Sequence, residues 1–451
     1  MAKKKAIAGP HLVRYGIAGD QKFLVGDLLE TYDELVINAR MVAHMALGFA
    51  SFLTQHAHNK PYFIDPETHI FQHDFDYLLS TSEEREPKLK RSVSRLIKWY
   101  GDPIAKIVKK GQRILPENFK DNHTRRDFCQ SVIDFQLKVI NERVQDSENV
   151  EYYEFLKEKG VVESSSFTPS LVVAPYFCMD GNTFDDWIDV NIECAKDSKE
   201  IASKLGIPMA TEIVITQSVL FDPKNVKSLI SRYKEIKPEL FLIWVDAFSE
   251  HEVSEGLLDA FVTMMNDLKA SGSQVVNLYG SYFSVMLLHR GILDGVTHGL
   301  EYGEERPLVP VGGGIPTAKF YLPALHLRLR REDAIRAVRA LGGFESVADF
   351  HKHVCDCTQC QRAISKSPEK DFGDYLRTKR VNTRDIPYPE TKENSVRHYM
   401  FSKQKEYTDK NIDKALGQLR DTRKQLRKYV GAENTDHCEK WASIISGLVT
   451  E

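Results

Sequence analysis

Long apolar runs are missing from this 451-residue sequence. None approaches the roughly 18 consecutive apolar residues of a membrane-spanning helix. Met1-Ala-Lys-Lys-Lys5 is not followed by the apolar core of a secretory signal, so a cytoplasmic protein is expected. Charge of one sign is also lacking: 61 Lys and Arg stand against 64 Asp and Glu, a net charge of −3. The chain as a whole therefore advertises no polyanionic partner, and a nucleic-acid surface would have to be local. Cysteine is scarce. The seven present are an odd number, and three fall within six positions, which fits metal binding in a reducing compartment better than a disulfide framework. Internal repeats, low-complexity tracts and a P-loop are absent too. The glycines of Val309-Pro-Val-Gly-Gly-Gly314-Ile-Pro316 precede no Gly-Lys-Ser/Thr, and a loop over the mouth of the fold is their plain reading.

What is present alternates. Short apolar runs at Pro61–Asp65, Ser170–Tyr176, Glu212–Gln217, Leu240–Asp246, Gln274–Tyr279 and Gly295–His298 read as buried parallel strands, which are covered on both faces. Helical patterns lie between them, at Trp187–Leu205, Pro223–Tyr233, Val253–Lys269 and Phe283–Arg290. Strand–helix alternation indicates a parallel α/β fold; it does not separate a barrel from an open sheet. Ser82–Gly160 breaks the pattern and reads as a helical insertion after the first barrel strand. Within it, from Pro87 to Arg126, twelve Lys or Arg stand against three Asp or Glu. That is either a nucleic-acid-facing patch or a solvated helical face. Leu325–Arg331 alternates apolar and basic residues like a strand with one charged face. Lys403–Val430 reads as one long helix, with Ile412, Leu416, Leu419 and Leu426 forming a stripe for packing or for tracking a phosphate backbone. The expected divisions are 1–81 for the start of the barrel, 82–160 for the insertion and 161–345 for the main barrel. A zinc-binding subdomain at 346–402 and a helical region at 403–451 complete them.

The strongest chemical pattern is Cys355-Asp-Cys357-Thr-Gln-Cys360. Zinc takes four soft or borderline ligands in a tetrahedron, and this turn can present three thiolates to one ion. His398, ahead of a helical pattern, is the best fourth ligand. His351 and His353 compete but lie too close to the turn to close the tetrahedron easily. Four protein ligands leave no open position, so the site would be structural.

A Cys-x-Cys-x-x-Cys turn followed some tens of residues later by a helix-borne histidine resembles the zinc subdomain of the tRNA-guanine transglycosylases. The Cys360–His398 loop is longer than that family's. Upstream, Asp65 in Tyr62-Phe-Ile-Asp-Pro66 resembles the family's proton-transfer aspartate, without the usual Ser-Gly-Gly after it; an Asp-Pro-Glu helix cap is the other reading. Asp180 resembles the aspartate that binds the heterocyclic base, Gln217 the glutamine on its carbonyl, and Gly280 a glycine of the pocket. Phe177 or Tyr176 could stack on the base. The family's nucleophilic aspartate has no clear counterpart. Asp294 is the nearest candidate, the family position itself falls near Thr297 or His298, and Glu301 or Glu304 could serve instead. His298 is therefore a substrate-binding candidate.

The resemblance implies a (β/α)8 TIM barrel with a helical insertion and a C-terminal zinc-binding subdomain. It implies a pentosyltransferase that exchanges guanine or a 7-deazaguanine in tRNA or DNA through a covalent glycosyl intermediate, with Zn2+ as structural cofactor. It also implies a dimer with the zinc region near the interface. The departures point to a divergent paralogue, of a type acting on DNA or in a specialised modification or defence system. The alternative is a non-catalytic nucleic-acid-binding or scaffold subunit, as a homodimer or heterodimer.

Overall fold

A computed structural model describes residues 8–57, 60–80, 87–145, 167–301, 303–309, 319–381 and 384–448, with isolated positions between 151 and 159. Eight parallel strands form the core: β1 (His11–Tyr15), β2 (Glu34–Asn38), β3 (Tyr62–Asp65), β4 (Val172–Val173), β5 (Met209–Ile215), β6 (Leu240–Val245), β7 (Gln274–Asn277) and β8 (Gly295–His298). Their order is β3-β2-β1-β8-β7-β6-β5-β4. The amide of Ser170, just before β4, donates to the Tyr62 carbonyl at 2.8 Å and draws the β3–β4 seam together. The sheet is thus a nearly closed (β/α)8 barrel.

The strands read as apolar because both faces are buried. Along β5, Ala210 and Val214 point into the barrel with Leu12, Val36, Phe63, Val173, Leu242 and Trp244, whereas Ile213 and Ile215 face the helices. The helices are α1 (Ala39–Gln55), α2 (Arg91–Tyr100), α3 (Ile104–Lys109), α4 (Asn122–Gln145), α5 (Phe184–Leu205), α6 (Gln217–Phe221), α7 (Pro223–Ile236), α8 (Glu255–Lys269) and α9 (Tyr282–His289). Asp222 and Ser254 cap α7 and α8 through Lys224 N and Leu257 N, as residues with short oxygen side chains do.

Three features differ from the sequence expectations. Two strands, β1 and β2, precede the strand read as first. The segment read as an insertion contains the barrel's own β3–β4 crossover helix: α4 packs between α1 and α5, and Gln136 exchanges hydrogen bonds with both the carbonyl and the amide of Val173. Among the described residues, what this segment adds to a plain barrel is α2, α3 and a 3-10 turn at Pro116–Phe119. The glycine-rich stretch beyond Val309 lies outside the described residues, as do parts of 82–160.

Beyond β8 come a hairpin of β9 (Lys319–Leu322) and β10 (Leu327–Arg330), then α10 (Arg331–Ala340), α11 (Val347–His353), α12 (Thr358–Ala363) and α13 (Pro368–Tyr375). A second hairpin, β11 (Thr378–Val381) with β12 (Arg384–Pro387), leads to α14 (Pro389–Thr408), α15 (Ile412–Val430) and α16 (Asp436–Gly447). The single helix expected over Lys403–Val430 is two helices. The chain leaves α14 at Asp409, and Asn411 caps α15 by accepting from Lys414 N. The stripe Leu416, Leu419 and Leu426 is buried, with α15 packed against α10 and α16. Among the described residues, no helix is long and apolar enough to cross a membrane.

Candidate functional site

In a parallel barrel the strand C-termini share one mouth, where chemistry concentrates. Here that mouth is unusually charged. Arg14, inward on β1, donates through Nη1 to Asp65 Oδ2 (2.9 Å) at the end of β3 and to Asn38 Oδ1 (2.5 Å) at the end of β2. Asp65 Oδ1 also accepts from the Tyr176 hydroxyl (2.6 Å) and from Glu67 N (2.9 Å). Glu67, in left-handed backbone at φ 49°, is gripped by Arg40 (2.9 Å) and Arg306 (3.2 Å). Burial opposes ionisation of Glu67, but the Arg40 and Arg306 charges outweigh it and hold its carboxyl below the ordinary carboxylate range. Arg306 also donates to the Tyr279 hydroxyl (2.7 Å) and lies over the Trp244 ring.

Around this buried floor stands a more open rim. Asp246, just past β6, accepts from Leu308 N through Oδ1 (2.7 Å). Gln217, opening α6, donates to the carbonyls of Asp246 (3.3 Å) and Ala247 (2.8 Å). Asp180 follows Met179, which bridges to Ile215 at the end of β5, and its Oδ1 accepts from Asn182 N and Thr183 N. The charges of both Asp246 and Asp180 act on the Cys178 thiol, which burial has already pushed up. Asp180, Gln217 and Asp246 thus share one rim above Asp65.

The remaining expected residues are not brought to this rim. Asp294 precedes β8, at the opposite end of the barrel from Asp65. It is paired with Lys269, and its Oδ2 accepts from Val275 N; a strand-bottom residue cannot reach the mouth. Phe177 turns outward, packed among Phe119, Phe128 and Trp187, and its neighbour Tyr176 is the ring that enters the site. This is period-2 alternation along extended backbone. His298 also faces outward, against His11 (2.8 Å) and Tyr399. Burial, then the Lys403 charge, lowers its pKa to about 3. Glu301 is paired with Lys392 and Glu304 with Lys403, each at 2.7 Å. Gly280 is a packing glycine: a Cβ there would lie 2.4 Å from Val296 Cγ1. Thr297, near the family's nucleophile position, is buried.

Arg14, Arg306, Glu212, Trp244, Tyr279 and Asp246, which the barrel also brings together at this mouth, were not picked out from the sequence. Asp246 ends an apolar run just as Asp65 does, and that signal could have found it. Glu212 shares the inward alternation of Ala210 and Val214.

The second site lies in the C-terminal region. Cys355, Cys357, Cys360 and His398 are buried, with their ligand atoms within 4.8 Å of one another, and could hold a metal ion. His398 Nδ1 lies 3.6, 3.3 and 3.4 Å from the three sulfurs. These are the edges of a tetrahedron with bonds of about 2.0–2.3 Å. Cys357 caps α12, where its Sγ accepts from Cys360 N, and Cys355 Sγ accepts from Cys357 N. His398 Nε2 is 2.6 Å from the Tyr321 carbonyl, which fixes the tautomer that leaves Nδ1 free to bind, an outer-shell bond of the usual kind. Phe320 stacks on its ring. His351 bonds instead to the carbonyls of Cys355 and Ile364. No family model matches this sequence, and no curated protein matches it.

Proposed function

We propose that the barrel mouth exchanges a purine-type base in a nucleic acid, in the manner of the tRNA-guanine transglycosylases. The observation that carries this reading is the convergence of Asp180, Gln217 and Asp246 on one rim over Asp65. Asp180 and Gln217 suit the donor and acceptor edge of guanine or a 7-deazaguanine. Asp246 is the rim carboxylate best placed to attack the anomeric carbon. Its oxygen would form a bond to C1′ as the C1′–N bond breaks, and the departing base would take the electron pair and a proton. Asp65, committed to Arg14 and Tyr176, is the proton-handling group beneath. Reaching such a mouth requires the nucleotide to be flipped from its stack.

The exposed basic residues of α2 and α3 support a polyanionic substrate. Ten of the twelve Lys and Arg between Pro87 and Arg126 are exposed; the other two, Arg125 and Arg126, pair with Asp197 and Glu200. The Cys3His cluster is assigned to Zn2+, because three thiolates and one imidazole suit that ion.

A non-catalytic binding subunit is the second reading, favoured by the threonine near the family's nucleophile position and by the remoteness of Asp294. One experiment separates the two. Zinc-loaded protein is incubated with labelled guanine and either tRNA or duplex DNA, alongside Asp246→Asn and Asp294→Asn. Label should enter one polymer with wild type and Asp294→Asn, and should fall at least about 100-fold with Asp246→Asn. Nucleic-acid binding without label in either polymer supports the second reading.

A further inference from the structure

Buried carboxylates in this protein are otherwise well supplied with donors. Asp65 has Arg14, Tyr176 and the Glu67 amide. Glu67 has Arg40 and Arg306. Glu250 has Ser281, Ser284 and Asn277. Glu34 has Ser170 and the Gly9 amide. Glu212 differs. It points into the barrel from β5, is 1% exposed, and neither of its oxygens has a partner in good hydrogen-bond geometry among the described residues; the Tyr176 hydroxyl, which lies close enough to act on it, already donates to Asp65 Oδ1.

A buried carboxylate that has no cation or donor bonded to it favours taking a proton. The charged and titratable groups that act on Glu212 are Asp65 from β3, Arg14 from β1, Tyr176 beyond β4 and Arg306 beyond β8. Leu242 and Trp244 of neighbouring β6 bring no charge. Arg14 spends Nη1 on Asp65 and Asn38, and its Nε and Nη2 reach no acceptor, Glu212 included. Arg306 is spent on Glu67 and Tyr279. Of the three floor carboxylates, Asp65 and Glu67 therefore each have a cation within bonding distance and Glu212 has none.

We infer that Glu212 is a positioning residue that keeps a proton at neutral pH, so that Asp65 is the one carboxylate bonded to Arg14. Burial, then the Asp65 charge, pushes the Glu212 carboxyl well above the ordinary range, with Arg14 opposing. A protonated Glu212 spares Asp65 a second negative charge and preserves its ion pair. The inference rests on the proposed exchange reaction only for the purpose this serves; the protonation itself can be read without activity.

Infrared difference spectra of the full chain in heavy water at about pH 8 should contain a protonated-carboxyl carbonyl band. Glu212→Gln should remove it, as should Glu212→Leu, which offers no hydrogen bonding. A group protonated when folded but ionised when unfolded stabilises most below its unfolded pKa, about 4.3, and loses that stability as pH rises. The melting temperature of wild type should therefore fall relative to Glu212→Gln as pH rises from about 4 to 8, with the two converging at the acid end. A wild-type spectrum without that band, or a melting difference that is constant with pH, overturns the inference whether or not exchange occurs. Absence of exchange with the band present strikes the proposed reaction alone.

Discussion

Lys403 joins two halves of the molecule through one ammonium group. It sits on α14, fully buried, 2.7 Å from Glu304 of the loop after β8 and 3.1 Å from Glu406 on its own helix, beside the rings of Tyr321 and Tyr399. Burial alone would discharge it, but the Glu304 and Glu406 charges hold its pKa above the usual lysine value. Glu304 shows the reciprocal effect. Burial raises its pKa, the Lys403 charge more than offsets this, and the result is about 2. Lys403→Met removes the shared cation of buried Glu406 and half-buried Glu304, which keep only the Tyr321, His326 and Tyr399 contacts, and should cost about 3 kcal/mol in urea unfolding. The same pair sets an acid limit. A depressed folded pKa contributes stability above the unfolded value of about 4.3, and that stability is lost as pH falls toward 2. Wild type should lose stability across that window more steeply than Glu304→Gln. Parallel unfolding titrations at several pH values read both effects.

At the scale of elements, the barrel has a gap that α14 fills. Only short 3-10 turns follow β1, and α14 lies along them, stacking Tyr407 on His11 and donating its hydroxyl to the Val296 carbonyl of β8. The same helix carries His398. A metal bound to the Cys355–Cys360 turn thus fastens the small helices α11–α13 to a helix that is part of the barrel wall. Chelation at mildly acidic pH, or Cys357→Ser, should lower the melting temperature by several degrees. Hydrogen exchange should rise first in α12 and the first half of α14, with one equivalent of zinc released. A fully metal-depleted chain with an unchanged melting curve would falsify that fastening role.

This arrangement also explains what could be read from the sequence. β5, β6 and β8 were legible because strands buried on both faces leave continuous apolar runs, and the metal turn was legible because its spacing is local. β1 and β2 were not. His11-Leu-Val-Arg-Tyr15 carries two polar residues that tertiary neighbours satisfy, Tyr407 and His298 for the first and Asp65 for the second. No helix separates the two strands to mark them as a barrel unit. Asp65 ends one apolar run and Asp294 precedes another, so chain order in a parallel barrel already puts them at opposite ends; only the family resemblance made Asp294 a candidate for the mouth.

For the whole molecule, net charge hides a polarised surface. The exposed basic residues of α2 and α3 begin beside the mouth. Lys90 donates to the Tyr77 carbonyl and feels the charge of Arg40, which grips Glu67. From there Arg91, Arg95, Lys98, Lys109 and Lys110 continue along the exposed faces. Tyr77, itself exposed, adds a ring on which a base could stack. In the proposed reaction this band holds the phosphate backbone while the base enters the mouth. Each phosphate neutralised releases counterions, so the logarithm of affinity falls with the logarithm of salt by about 0.9 per contact for duplex DNA and less for single strands. Replacing Arg91, Lys98, Lys109 and Lys110 together by glutamine should lower that slope by about 2–4 and leave the melting temperature nearly unchanged, since no carboxylate pairs with these four among the described residues. Fluorescence anisotropy with tRNA, duplex DNA and single-stranded DNA across a salt series would identify the favoured polymer. An unchanged slope for all three would move the backbone track away from α2 and α3, leaving these charges as a solvated face.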